Sequence, residues 1–292
     1  MSPGKKKAVG YFVYIAGLIV IFLILLFPED AVRTFIEKNI KRVDPALSLE
    51  IGGLGLGVFP PGIRLSEPAV YYENRFVIQP DGAAFSPVVS TIFGGKPAFR
   101  FKIRVFDGVV QGRCRLDCNA DNQGHAGTLD AKISGIDLGT LKELKELLDY
   151  PLSGTIDGRV TGTINGAAYQ FSSEFSVKEL GVIFEPPLMG MDKLTFKTVE
   201  AELAGDEQSL TVNRCVARGG QMDVEFTGDI RLRRPYPESV LDLEGFVKPH
   251  SDFVKKLGKI LPLDLIIRKN PGQKGYPVRI DGTVSAPGVS IQ

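Results

Sequence analysis

The hydrophobic pattern of the chain begins with an uninterrupted apolar run. Residues 9–27, VGYFVYIAGLIVIFLILLF, contain no charged side chain and directly follow Lys5, Lys6 and Lys7. A helix of this length is about 28 Å long, close to the thickness of a bilayer's hydrocarbon core. The run therefore predicts a transmembrane helix over 9–27, and the lysines before it predict a cytoplasmic tail over 1–8.

A secretory signal peptide is the alternative interpretation of this run. The apolar region of a signal peptide is usually about 7–15 residues long and ends in a cleavage site of small residues. Here the run is longer and leaves through LFPED, which offers no such site. The sequence favours an uncleaved anchor.

Residues 28–44 have the spacing of an amphipathic helix. Val32, Phe35, Ile36 and Ile40 recur at helical intervals, and charged residues occupy the rest of the helical wheel. Because this stretch follows the predicted anchor, it either rests on the lipid surface or caps the soluble part of the protein.

From Leu47 onward the period of the pattern changes to two, which is typical of strands with one buried face. The clearest apolar series are Phe99, Phe101, Ile103 and Val105; Ile156, Val160 and Ile164; and Met222, Val224, Phe226, Ile230 and Leu232. Glycine, proline or asparagine bounds each segment, as turns require. The pattern predicts antiparallel strands in two regions, 45–135 and 151–292.

Two helices are predicted to interrupt the strands. One lies within 136–150, where leucines form a stripe and Pro151 ends the segment; the other lies near 251–261. The predicted fold is mainly β: a transmembrane helix, then a curved antiparallel sheet or groove, or a sandwich, with two or three short amphipathic helices. Gly158 and Gly162 share the apolar face of one strand and leave room for curvature or for a ligand.

The charge balance argues against a nucleic-acid partner. The net charge is +1, and without the three N-terminal lysines 32 basic residues stand against 34 acidic ones. Arg100, Lys102 and Arg104 alternate along one strand. We interpret them as a solvated outer face rather than a contact for acidic lipid.

Three cysteines are too few for a disulfide scaffold. Within one strand, Cys114 and Cys118 would have Cα atoms about 13 Å apart, too far for a disulfide unless a turn intervenes. Cys215 is left over in either case. We expect ordinary buried or half-buried thiols.

The sequence offers no catalytic, cofactor-binding or metal-binding residues. The run GGLGLG at 52–57 is not a dinucleotide loop, because Val58 stands where the last glycine is needed and FPPG follows instead of a helix. His125 and His250 lie at no metal-ligand spacing from another histidine or cysteine. We expect no enzyme activity and no cofactor.

Several segments together resemble the type II secretion system protein N family. They are the lysine-flanked anchor, the amphipathic exit helix, the glycine-rich LEIGGLGLGVFPPGIRLSEPAV and the final strand GTVSAP. The segment LDYPLSGTIDGRVTGTINGAAYQFSSEFSVKELGV is also similar to AsmA-like periplasmic proteins, which are membrane-anchored β-sheet molecules with a lipid-lined groove.

The resemblance implies a non-catalytic component of the type II secretion apparatus in the bacterial inner membrane. Such a protein crosses the membrane once, with a cytoplasmic N-terminus and a periplasmic β-domain that contacts other secretion subunits and membrane lipid. The alternative that it implies is an AsmA-like module that binds or transfers lipid in an acyl-chain groove.

Overall fold

The computed structural model describes most of the chain after residue 25. The described residues are 26–43, 45–57, 60–73, 75–92, 96–117, 126–140, 151–166, 168–188, 191–257 and 275–291, with 11, 14, 18 and 22. Among them, no helix is long and apolar enough to cross a membrane. The tail over 1–8 and most of the segment 9–27 lie outside the described residues, so the transmembrane helix stays a prediction.

The described chain is mainly β, and every strand pairing described in it is antiparallel. This confirms the predicted antiparallel β class. The strands are β1 Leu47–Gly57, β2 Gly62–Tyr72, β3 Arg75–Ile78, β4 Gly82–Pro87, β5 Ala98–Val105, β6 Gly108–Asp117, β7 Ala126–Asp137, β8 Leu152–Asn165, β9 Ala168–Leu188, β10 Met191–Asp206, β11 Ser209–Gly219, β12 Met222–Arg231, β13 Val240–Pro249, β14 Tyr276–Thr283 and β15 Ala286–Ile291. The helices are α1 Glu29–Val43, α2 Val89–Ile92 and α3 Ser251–Leu257, with 3-10 turns at Leu138–Thr140 and Tyr236–Glu238.

The chain divides into two compact units. The first contains residues 1–87 and 101–103, and the second contains 88–100 and 104–292. In the first unit β1 pairs with β2 along its length, from Leu47 opposite Tyr72 to Gly57 opposite Gly62. The glycine-rich run 52–57 therefore lies in strand β1.

Helix α1 packs on the strands of the first unit. The core of this unit contains the buried side chains of Ile51, Leu54, Leu65 and Ala83. Val32 and Ile36 of α1 pack against that core, and Oε1 of Glu29 accepts a hydrogen bond of 3.0 Å from the Leu54 N–H. Phe35, on the other side of the helix, is 67% exposed. One face of the predicted exit helix thus covers the strands, while Phe35 is left at the surface.

The second unit is built from strands that pair in chain order. From β6 to β15 each strand pairs with the strand before it and the strand after it. The β5–β6 hairpin turns at Phe106 and Asp107, whose φ angles of 49° and 60° suit a two-residue hairpin turn. Strand β5 exposes the three alternating basic side chains, Arg100, Lys102 and Arg104.

The two predicted helices are described only in part. The segment 136–150 contains the 3-10 turn Leu138–Thr140, and residues 141–150 lie outside the described residues. The segment near 251–261 contains α3, Ser251–Leu257, whose Phe253 is buried, while 258–274 are not described. The short helix α2 was not predicted.

Candidate functional site

Three rows of side chains on one face of the second unit carry no charge. Side chains alternate along a strand, so cross-strand partners and residues two positions apart share a face. From β6 to β15 the first row is Gly112, Ala131, Val160, Ser173, Leu203, Val212, Gly228, Leu243, Ile280 and Val289. The second row is Cys114, Leu129, Gly162, Phe171, Gly205, Leu210, Ile230, Leu241, Gly282 and Pro287. The third row is Val110, Ile133, Gly158, Phe175, Ala201, Cys215, Phe226, Gly245, Val278 and Ile291. We call these three rows the apolar face.

A bulge in β11 keeps the rows continuous. Val212 lies opposite Leu203, and Cys215 lies opposite Ala201, so three steps along β11 match two steps along β10. An extra residue in one strand is the mark of a β-bulge. Without it, every apolar side chain beyond this point would move to the other side of the sheet.

The apolar face is half-buried over most of its area. Only Ala131, Ser173, Val212 and Val278 are buried on it, and Val289, at its edge, is 68% exposed. From β6 onward, the strands of the second unit belong to one series of neighbours.

Phenylalanine rings fill space that glycines leave on this face. Phe175 lies opposite Gly158, and Phe171 lies opposite both Gly162 and Gly205. A Cβ atom at position 205 would come within 3.0 Å of the Phe171 ring. At Gly158 the room that the sequence suggested for curvature or a ligand is therefore occupied by the protein's own side chain.

The single polar hydroxyl on the apolar face is that of Ser173. The residue is 3% exposed, and its Oγ has no hydrogen-bond partner among the described residues. It lies between Val160 and Leu203 in the first row. An unsatisfied buried hydroxyl costs free energy of folding, so Ser173 lowers the stability of the otherwise apolar face.

The opposite face of the second unit is polar and carries ion pairs. Arg159 donates to both oxygens of Asp130, at 3.0 Å and 2.7 Å, in the two-pronged geometry that guanidinium and carboxylate groups favour. Arg279 lies 2.8 Å from Asp242 across the β13–β14 pair. We call this side the polar face.

Two aspartates of the polar face have a lowered pKa. The hydrogen bond from Arg159 is the main cause for Asp130. For Asp157 the main cause is the hydrogen bond from the Gly135 N–H, at 3.0 Å, and the second is the hydrogen bond from Lys178. Both carboxylates are therefore held in the charged form, as partners of neighbouring donors.

The cysteines that the structure describes are free thiols. Cys114 and Cys215 are half-buried on the apolar face, and burial raises the pKa of each thiol. This agrees with the expectation of ordinary half-buried thiols. Cys118 and His125 lie outside the described residues.

His250 lies just before α3 and is bound on both ring nitrogens. Nδ1 lies 3.2 Å from the Gly220 carbonyl oxygen, and Nε2 lies 3.2 Å from the Asp223 carboxylate. Within the described ranges, no three histidine, cysteine, aspartate or glutamate residues are grouped to hold a metal ion. The expected lack of a metal, a cofactor and catalysis stays a prediction.

A cleft of about 600 Å³ lies on the polar face and was not predicted from the sequence. It lies where β6 and β8 end and where β7 and β9 begin. Lys96 and Arg115 are among its lining residues. These two cations are nineteen positions apart in the chain, and only strand pairing brings them together. No local motif could have revealed them.

The fold and the two faces define a class: a mainly β protein with one large uncharged face and one polar face. Comparison with protein-family models, with curated proteins and with solved structures finds no match to this chain. The resemblance to the secretion protein N family therefore stays an interpretation of the sequence.

Proposed function

We propose that the chain is a non-catalytic component of a type II secretion apparatus, with its β-units on the periplasmic side of the bacterial inner membrane. The segment 9–27 would anchor it, and other secretion subunits would bind its apolar face. The observation that carries this proposal is the continuity of the three uncharged rows across ten strands.

The energetics of the apolar face support a partner. Covering a half-exposed valine, leucine or phenylalanine stabilises a complex by part of the roughly 1.5–3 kcal/mol that full burial provides. Large exposed apolar patches are rare on proteins that act alone. The polar face, by contrast, already satisfies much of its charge with its own ion pairs.

A deletion and complementation experiment tests the proposal. In a bacterium that encodes the chain and exports enzymes by this route, deletion should leave those enzymes in the periplasm. The wild-type chain should restore export, and Val289→Glu should not, because it places a charge on an exposed position of the apolar face. Ser290→Glu, one residue further along the same exposed strand, is the matched control.

Normal export from the deletion strain would contradict the secretion role. Equal export with both variants would show that the apolar face is not needed for export. The amount of each variant in the membrane is measured by immunoblot. A variant that is present at the wild-type level but does not restore export has lost a contact and not its fold.

Lipid handling is the second candidate, and the half-exposed state of the apolar face supports it. Ile164 is 47% exposed and Tyr169 is 39% exposed, and both continue this face at the strand ends. Acyl chains would cover such a surface as well as a protein would. Phospholipid retained by the chain after detergent exchange, detected by native mass spectrometry and displaced in Val289→Glu, would favour this candidate.

A further inference from the structure

The floor of the cleft on the polar face consists of two cross-strand rows. Arg115, Thr128, Thr163 and Gln170 lie opposite one another on β6 to β9. In the next row, two residues nearer the strand ends, Asp117, Ala126, Asn165 and Ala168 do the same. With about 4.8 Å between strands, each row is roughly 14 Å wide.

Small side chains keep this cleft open. Ala126 and Ala168 occupy the middle and the far side of the second row, and Gly127 lies between the two rows on β7. Gly127 approaches β6 so closely that a Cβ atom there would lie 3.0 Å from the Arg115 carbonyl oxygen. The residues of the cleft floor are therefore positioned by strand pairing, and the two alanines keep the side-chain volume of the second row small.

Lys96 is fixed at one side of the cleft. The Leu116 N–H donates to the Pro97 carbonyl oxygen at 2.9 Å, which joins the residue after Lys96 to β6. The Lys96 ammonium then lies 2.7 Å from the Asp117 carboxylate. Asp117 thereby neutralises one of the two cations that line the cleft.

Arg115 keeps its charge uncompensated. Within the described residues it forms no ion pair, whereas Asp206, the carboxylate opposite Gln170, accepts hydrogen bonds from Gln208 and Ser209. Among the described residues that line the cleft, Lys96, Arg115 and Asp117 sum to one net positive charge. Two threonine hydroxyls and two side-chain amides add neutral donors around it.

From this arrangement we propose that the cleft binds a phosphate group carried by a small organic molecule or a lipid headgroup. A planar guanidinium matches two phosphate oxygens at once, and hydroxyl donors satisfy the remaining ones. Ile164 and Tyr169 lie at the rim of the cleft, but they alternate with its floor residues, and their side chains belong to the opposite side of the sheet.

The phosphate site goes beyond the secretion role and does not depend on it. It would give the lipid-handling candidate a headgroup position, but a phosphate that is not part of a lipid has the same chemistry. Binding measured on the purified protein is independent of export measured in cells. Failure of one proposal is thus distinguishable from failure of the other.

Calorimetric titration of the full chain in a neutral detergent tests the site. The probes are inorganic phosphate, glycerol 3-phosphate and dihexanoyl phosphatidylglycerol, the last below its micelle concentration. We expect at least one probe to bind at millimolar concentration or below. Arg115→Gln should weaken binding at least tenfold, about 1.4 kcal/mol. Thr163→Val, which changes no charge, should weaken it a few-fold.

Arg113→Gln is the matched control, because Arg113 lies on the same strand and face but outside the cleft lining. It should change the affinity less than twofold. Equal affinity for all three probes would identify phosphate itself as the ligand, and tighter binding of the lipid probe would identify a headgroup. No binding of any probe, or equal losses in Arg115→Gln and Arg113→Gln, would overturn the proposal.

Discussion

The ring of Phe175 lies over Gly158 on the neighbouring strand, so that a Cβ atom at position 158 would come within 2.6 Å of Phe175 Cδ1. Glycine at this position leaves room for the Phe175 ring beside the backbone of the neighbouring strand. The same arrangement recurs where Phe171 lies opposite Gly205. Phe175 and Phe171 thus each occupy the volume that a glycine leaves on a neighbouring strand.

Gly158→Ala should therefore destabilise the second unit by about 1–3 kcal/mol, because an added methyl group meets both the Phe175 ring and the Glu174 carbonyl oxygen, which lies 2.8 Å from the Cβ position. Circular dichroism of the full chain in detergent should show a lower melting temperature. In a Phe175→Leu background the same change should cost less, since the ring is gone. Gly220→Ala is the control, because a Cβ atom there meets no atom within 4 Å. Equal effects at both glycines would refute the ring-on-backbone packing.

The two sides of α1 should respond differently to truncation. Ile36→Ala removes a side chain that packs against the core of the first unit, and we expect a loss of roughly 1–3 kcal/mol. Phe35→Ala removes a larger side chain that is 67% exposed, and we expect little change in stability. Hydrogen exchange of the β1 amides is the measurement. Faster exchange in Phe35→Ala than in Ile36→Ala would show that the helix packs through its other face.

Acid should weaken the polar face of the second unit. The pKa of Asp157 is lower in the folded protein than the unfolded value of about 3.9, because the Gly135 N–H and Lys178 favour its charged form. Its stabilising contribution is therefore present above that unfolded pKa and is lost as the pH falls through the folded pKa. Asp157→Asn should melt at a lower temperature than the wild type at pH 7.

This difference in melting temperature should shrink as the pH is lowered from about 5 towards 3. Asp192→Asn, which removes an exposed carboxylate elsewhere on the unit, controls for the loss of a surface charge. A gap between Asp157→Asn and the wild type that stays constant down to pH 3 would disagree with the hydrogen-bonding assigned to Asp157.

Cys114 and Cys215 should react slowly with thiol reagents in the folded protein. Burial raises both pKa values, and each unit of increase lowers the reactive thiolate fraction about tenfold at neutral pH. Labelling with a maleimide, followed by mass spectrometry of peptides, should show both sites modified much faster after denaturation. Rapid modification of Cys215 in the native protein would contradict the burial that raises its pKa.

The sequence predicts the strands well because alternation is a local property. Ile156, Val160 and Ile164 lie on the side of β8 that carries the apolar face, and the series around Phe226 does the same on β12. Which residues lie opposite one another is not local, since it depends on hairpin turns and on the bulge in β11. The pairing of Phe175 with Gly158, and the meeting of Lys96 with Arg115, could therefore not be read from the chain.

The division into two units was also beyond the sequence analysis. A helical pattern lies between the predicted strand regions 45–135 and 151–292. The two compact units of the structure instead divide near residue 87. Alternating segments on the two sides of this boundary have the same composition and period. Only contacts between distant strands distinguish them.

In-cell photo-cross-linking tests most directly whether the apolar face of the second unit is a binding surface. Benzoylphenylalanine is placed at Ile164 or Val289 on the apolar face, and at Thr161 or Ser290 on the polar face, in the full chain. We predict adducts with another secretion subunit, or with lipid, from the two apolar positions only. Adducts of equal yield from all four positions, or none from Ile164 and Val289, would contradict the account.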